Sequence, residues 1–114
     1  MSATDIVLEL SRIGRELDEL SRKIERLDHA AVIAWSEHRK AYATAYVNGQ
    51  GSIKDREMQA RLDTLEQREK RDLAEVAYKH ADRLAKALEG ELRAMQSVGA
   101  SVRAMYSVAG RGEP

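Results

Sequence analysis

Apolar or small side chains recur at Ile6, Leu10, Ile13, Leu17, Leu20, Ile24, Leu27, Ala31, Ala34, Ala41 and Ala45, with His38 filling the one gap. Steps of four and three alternate throughout. That period keeps one face of an α-helix turned toward a partner helix. It predicts a long first helix over about residues 4–47, roughly 65 Å at 1.5 Å per residue. Ser2 or Thr4 can cap its start, with Asp5 at the positive end of the helix dipole. The face is Leu and Ile at first and Ala later, so packing should tighten along it.

The stretch Asn48-Gly49-Gln50-Gly51-Ser52 ends this pattern. Two glycines there can take the positive φ of a tight reversal. Ser52, with Asp55 three residues on, reads as the N-cap of a second helix. That helix is predicted over about residues 53–108, leaving 109–114 as a tail. Its apolar face is read as Met58, Leu62 and Leu65, then Leu73, Ala77, Ala81, Leu84, Leu88, Leu92, Met95, Gly99, Val102 and Tyr106. The steps 84, 88 and 92 form a stutter, which locally unwinds a supercoil. Residues 66–72 carry no apolar side chain and read as a solvated, weakly packed middle.

The expected architecture is a single all-α domain. Two long helices fold as an antiparallel hairpin with coiled-coil-like packing. With no Phe and 33% charged residues, two helices enclose little core, so a homo-oligomer is expected to complete it. Its contacts are placed on Leu10, Ile13, Leu17, Leu20, Ile24 and Leu27, and on Val98, Val102 and Tyr106 of the small-residue C-terminal stretch. The sequence leaves open whether the helices fold back on each other or splay and pair between chains.

Most chemistries find no footing. Cysteine is absent, which removes disulfides, thiolate catalysis and Cys-based zinc sites. His29, His38 and His80 lack the i, i+4 spacing of a helical metal pair. There is no strand to lead into a phosphate loop. A non-enzymatic protein without metal or cofactor is expected. No apolar run reaches the roughly 18 residues of a membrane span, and a basic stretch followed by an apolar one is not found near the start. A cytoplasmic protein is therefore expected.

The formal net charge is zero, so bulk attraction to nucleic acid is not indicated. Local pattern still offers a candidate. Lys79, Arg83, Lys86 and Arg93 fall on one helical stripe, as contacts to a phosphate backbone require. An ordinary solvated face has the same pattern. Arg39, Lys54 and Arg56 join them near the turn. Trp35, Tyr42 and Tyr46 form a second stripe on the first helix with Arg39. They either cover its Ala-rich end or, if exposed, offer a base-stacking platform.

A secreted helical hairpin of the Trp-x-Gly type fits the length, but Trp35 is followed by Ser36-Glu37 and lies well before the turn. A different layout agrees better. Ala41-Tyr42-Ala43-Thr44-Ala45-Tyr46, Gly49 to Ser52, Arg56, Glu75-Val76-Ala77-Tyr78-Lys79-His80-Ala81 and Leu92-Arg93-Ala94-Met95-Gln96-Ser97-Val98-Gly99 together resemble the small UvsY-type phage recombination mediators, over about residues 25–108. The resemblance implies a helical, ring-like homo-oligomer that binds single-stranded DNA and helps a recombinase load onto strands held by a single-strand-binding protein, in the host cytoplasm. The chain departs from the pattern in its neutrality and its regular Leu/Ile face. Two other classes fit the same helices: a phage structural or assembly coiled coil without nucleic acid, and a small helical inhibitor of a host enzyme.

Overall fold

The computed structural model describes residues 1–111. It is all-α: α1 spans Ala3–Asn48, α2 Ile53–Asp63 and α3 Leu65–Arg111, with no strand among the described residues. Helix α3 runs through residues 109–111, which were expected to belong to the tail; residues 112–114 lie outside the described residues.

Both exposed helix starts use the same local chemistry. The Ser2 hydroxyl accepts from the Asp5 N–H at 3.1 Å, and the Ser2 N–H donates to the Asp5 carboxylate at 3.0 Å. Ser52 and Asp55 repeat this at the start of α2, at 3.2 and 3.1 Å. Each box satisfies amides that the first helical turn leaves open. The bond from the Ser2 amide, then that from its hydroxyl, holds the Asp5 carboxyl below its usual range.

The two turn glycines differ in role. Only Gly51 has a positive φ, at 97°, and a Cβ there would sit 2.7 Å from Asp55 Oδ2. Gly49 needs no left-handed backbone. It allows a close approach instead, because a Cβ would meet Gln59 Oε1 at 3.2 Å and Arg56 Cγ at 3.3 Å. Gln59 closes the turn by accepting from the Gln50 N–H and donating to the Gln50 carbonyl.

The second helix is not continuous as expected. Thr64 separates α2 from α3 with φ −116° and ψ 18°. Its side chain is buried and donates to the Ala60 carbonyl at 2.7 Å. Such back-bonding competes with the helical ladder and bends helices.

The described chain divides into two compact units. Unit 1 comprises Met1–Arg22 and the residues from Asp82 onward; unit 2 is Lys23–Ala81. In unit 1, Ile6 and Ile13 of α1 are buried, and Leu10, Leu17 and Leu20 are half-buried. They follow the predicted face. On α3 the covered positions are Ala85, Leu88, Leu92, Met95, Gly99 and Val102. A Cβ on Gly99 would touch Ile6 Cγ2 at 3.5 Å. Arg12 binds Glu91 at 2.8 Å while also holding Glu9 and Glu16 of its own helix.

In unit 2, α1 again follows the predicted face. Ala31 is buried, and Ile24, Leu27, Ala34, His38, Ala41 and Ala45 are half-buried. The face of α2 and α3 within this unit follows its prediction only at Ala77 and Ala81. Met58, Leu62, Leu65 and Leu73 are each more than half exposed. Covered instead are Ala60, Thr64, Gln67, Arg71, Ala74 and Tyr78, together with the predicted Ala81. These positions step 4, 3, 4, 3, 4, 3, and in unit 1 Ala85, Leu88, Leu92, Met95, Gly99 and Val102 step 3, 4, 3, 4, 3. Neither series contains a stutter. Leu84, which created one in the sequence reading, is 46% exposed, and Tyr106 is 66% exposed. The physical reason is the Ala-rich face of α1. Small side chains there admit a close neighbour, and small or long flexible polar side chains fit that space better than Leu.

Candidate nucleic-acid interface

Arginines supply most of the charge on one groove in unit 2. It has a volume of about 240 Å³ and is lined by His38, Tyr42, Arg61, Thr64, Arg68 and Arg71. The 4-and-3 alternation places Thr64 and Arg71 on the covered face, and Arg61 and Arg68 flank that face one turn apart in each case. His38 and Tyr42 enter from α1 at i, i+4, their rings 6.3 Å apart.

Arg71 is the anchored member. Its side chain is only 17% exposed. The guanidinium carbon lies 4.6 Å from the centroid of the Trp35 ring, within cation–π range. Its Nε and Nη2 both donate to Asp72 Oδ1, at 3.1 and 2.9 Å. Its Nη1 lies 3.4 Å from His38 Nδ1. A neutral imidazole can accept there; a protonated one cannot. Burial first, then the charges of Arg71 and Arg68, push the His38 pKa below its usual value, against a smaller pull from Asp72. Burial and the neighbouring guanidinium charges thus both disfavour the charged imidazole. The side chains of Arg61 and Arg68 are exposed and show no hydrogen bond or ion pair among the described residues.

The residues singled out from sequence are distributed differently. Arg39, Lys54, Arg56 and Lys79 belong to unit 2, and Arg83, Lys86 and Arg93 to unit 1. Arg39 and Lys54 are exposed. Arg56 is half-buried, with its Nε buried and without a hydrogen-bond partner. Lys79 pairs with Glu75 at 3.1 Å and Lys86 with Asp82 at 2.9 Å, both one helical turn away. None of these seven lines the groove. Tyr42, one of the aromatic stripe, does, while Trp35 is 44% exposed beside Arg71. Of the interface candidates, Ile13 is fully covered by its own chain, whereas Val98 and Tyr106 remain exposed. Val102 and Tyr106 line a shallow groove of about 330 Å³ in unit 1 with Met1 and Met105.

Sequence reasoning missed Arg61, Arg68 and Arg71. Residues 66–72 were read as a solvated run because they hold no apolar side chain. Counting back from Leu88 in strict steps of three and four reaches Arg71, Gln67, Thr64 and Ala60. That regularity was the available signal. Among the described residues, no group of three or more His, Cys, Asp or Glu is placed to hold a metal, and no helix is long and apolar enough to cross a membrane. No protein-family model, curated protein or solved structure matches the chain.

Proposed function

We propose that this chain is a non-enzymatic, homo-oligomeric helical hairpin that binds single-stranded DNA and serves as a recombination mediator. The observation that carries the nucleic-acid reading is the groove of unit 2. Arg61, Arg68 and Arg71 line it together with His38, whose pKa is lowered by burial first and then by the charges of Arg71 and Arg68, and Arg71 is bonded to Asp72. Cationic side chains beside an exposed indole suit a strand, which offers phosphates and bases together. The recombinase and the single-strand-binding protein enter as partners through the resemblance to UvsY-type mediators.

The antiparallel hairpin rests on the direction of pairing inside each unit. Ile6 neighbours Gly99 while Arg12 meets Glu91. Gln50 bonds Gln59 while His38 meets Arg71. In both units one number rises as the other falls. Self-association is supported by the exposed Met58, Leu62, Leu65, Leu73 and Val76 of unit 2, since apolar side chains gathered on one exposed face mark interaction surfaces. The same residues favour a second reading, an assembly coiled coil that binds no nucleic acid.

Sedimentation and filter binding on one preparation separate the two. The proposal expects an oligomer that retains labelled single strands, with log affinity falling linearly in log salt at about 0.7 per phosphate contact. An oligomer that retains no strand at low salt leaves the assembly reading. A monomer that retains none overturns both.

A further inference from the structure

We propose that the groove between His38, Tyr42 and the arginines of α2 and α3 seats one phosphate group, gripped by Arg61 and Arg68 and backed by Arg71. The proposal deepens the strand-binding reading by naming the group taken and its seat. Its chemistry would equally accept a free phosphate ion.

Size decides the class of ligand first. At about 240 Å³ the groove falls below the roughly 300–1,000 Å³ typical of pockets for drug-sized molecules. It suits a small group such as a phosphate rather than a drug-sized molecule. Charge then decides the sign. Among the described residues the side chains of Arg61 and Arg68 show no carboxylate partner, whereas Arg71 beside them is bonded to Asp72. Two exposed guanidinium groups beside a third build a positive field that an anion would offset. Guanidinium groups form paired N–H bonds with phosphate oxygens, so a tetrahedral oxyanion satisfies two of them at once.

The back wall is fixed in advance. Arg71 is clamped by the Trp35 ring and by Asp72, so it is already oriented before a ligand arrives. Thr64 contributes its methyl, since its hydroxyl is committed to the Ala60 carbonyl. Tyr42 adds a phenol that can donate. The groups facing His38 are Arg61 of α2, Arg68, Arg71 and Asp72 of α3, and Tyr42 of its own helix. A bound phosphate would offset that positive field, and His38 would protonate more readily.

Trp35 is the chain's single tryptophan and touches Arg71, which makes its emission a local probe. The experiment titrates full-length protein with inorganic phosphate, with sulfate, and with a short oligothymidine, following Trp35 emission and the His38 ring by NMR. Two variants accompany it. Arg61→Gln with Arg68→Gln removes two exposed, unpaired cations. Arg15→Gln with Arg22→Gln removes the same charge from exposed positions in unit 1. Far-UV circular dichroism confirms that each is helical.

The expected result is a saturable change in Trp35 emission and an upward move of the His38 titration with phosphate, oligothymidine or both. The groove variant should lose about tenfold or more in affinity, and the control should stay within about twofold. A response to oligothymidine alone assigns the group to a nucleic-acid backbone; a response to free phosphate with no strand binding keeps the seat and removes the strand-binding reading. Strand binding that the groove variant retains in full overturns the seat while leaving strand binding intact. Silence toward all three ligands overturns it as well.

Discussion

The guanidinium of Arg71 lies over Trp35, 4.6 Å from the ring centroid, and the same group reaches His38 Nδ1 at 3.4 Å. One side chain therefore couples an aromatic ring to a titratable one. Replacing Arg71 with Met keeps an unbranched stem and removes the charge. The His38 titration should then move up toward the ordinary imidazole value but stop short of it, because burial is the larger cause of its depression. NMR of the His38 ring across pH checks this; an unmoved titration would show that Arg71 does not set the local field.

The same depression makes stability depend on pH. In the unfolded chain His38 binds a proton near pH 6.5, while in the folded chain it stays neutral to lower pH. The unfolded state binds more protons in that window, so stability rises with pH through it and falls on acidification. Urea midpoints measured between the unfolded and folded values should decline toward acid. The decline should flatten in His38→Gln.

Buried polar atoms mark where the core can be improved. Gln67 Oε1 is buried with no hydrogen-bond partner. Gln67→Leu removes that acceptor and should stabilise the chain by about 1 kcal/mol, read as a higher urea midpoint at unchanged m-value. By contrast Ile13 is fully buried, and Ile13→Ala should cost about 2–5 kcal/mol.

The glycines separate by environment. A Cβ on Gly14 meets nothing within 4 Å, so Gly14→Ala in mid-helix should stabilise by about 1 kcal/mol. Gly51→Ala should destabilise by about 1–3 kcal/mol, because both its φ and its clash with Asp55 oppose a side chain. Thermal melts of the two variants should shift in opposite directions.

Much of the fold was legible because α1 obeys one rule along its length. Every position from Ile6 to Ala45 in the predicted series is buried or half-buried, and Ser52 with Asp55 forms the predicted box. The second helix was legible only in part. Hydrophobicity alone chose Met58, Leu62, Leu65 and Leu73, and those side chains face solvent. The face that packs carries Thr64, Gln67 and Arg71, whose fit depends on the space left by alanines opposite, a property no single stretch of sequence displays. For the same reason the site lay hidden. Arg61, Arg68 and Arg71 belong to a run that reads as ordinary solvated charge until the packing face is known.

The interruption at Thr64 has a kinetic consequence. It leaves α2 only 11 residues long, below the roughly 12–15 at which an isolated helix holds in water. Its order draws on the burial of Ala60 and Thr64, on Gln59 against Gln50, and on the Ser52 cap. If those contacts form after the folding barrier, substitutions in α2 should leave the folding limb of a chevron nearly unchanged and raise the unfolding rate, and the arginine groove would last only as long as this short helix holds.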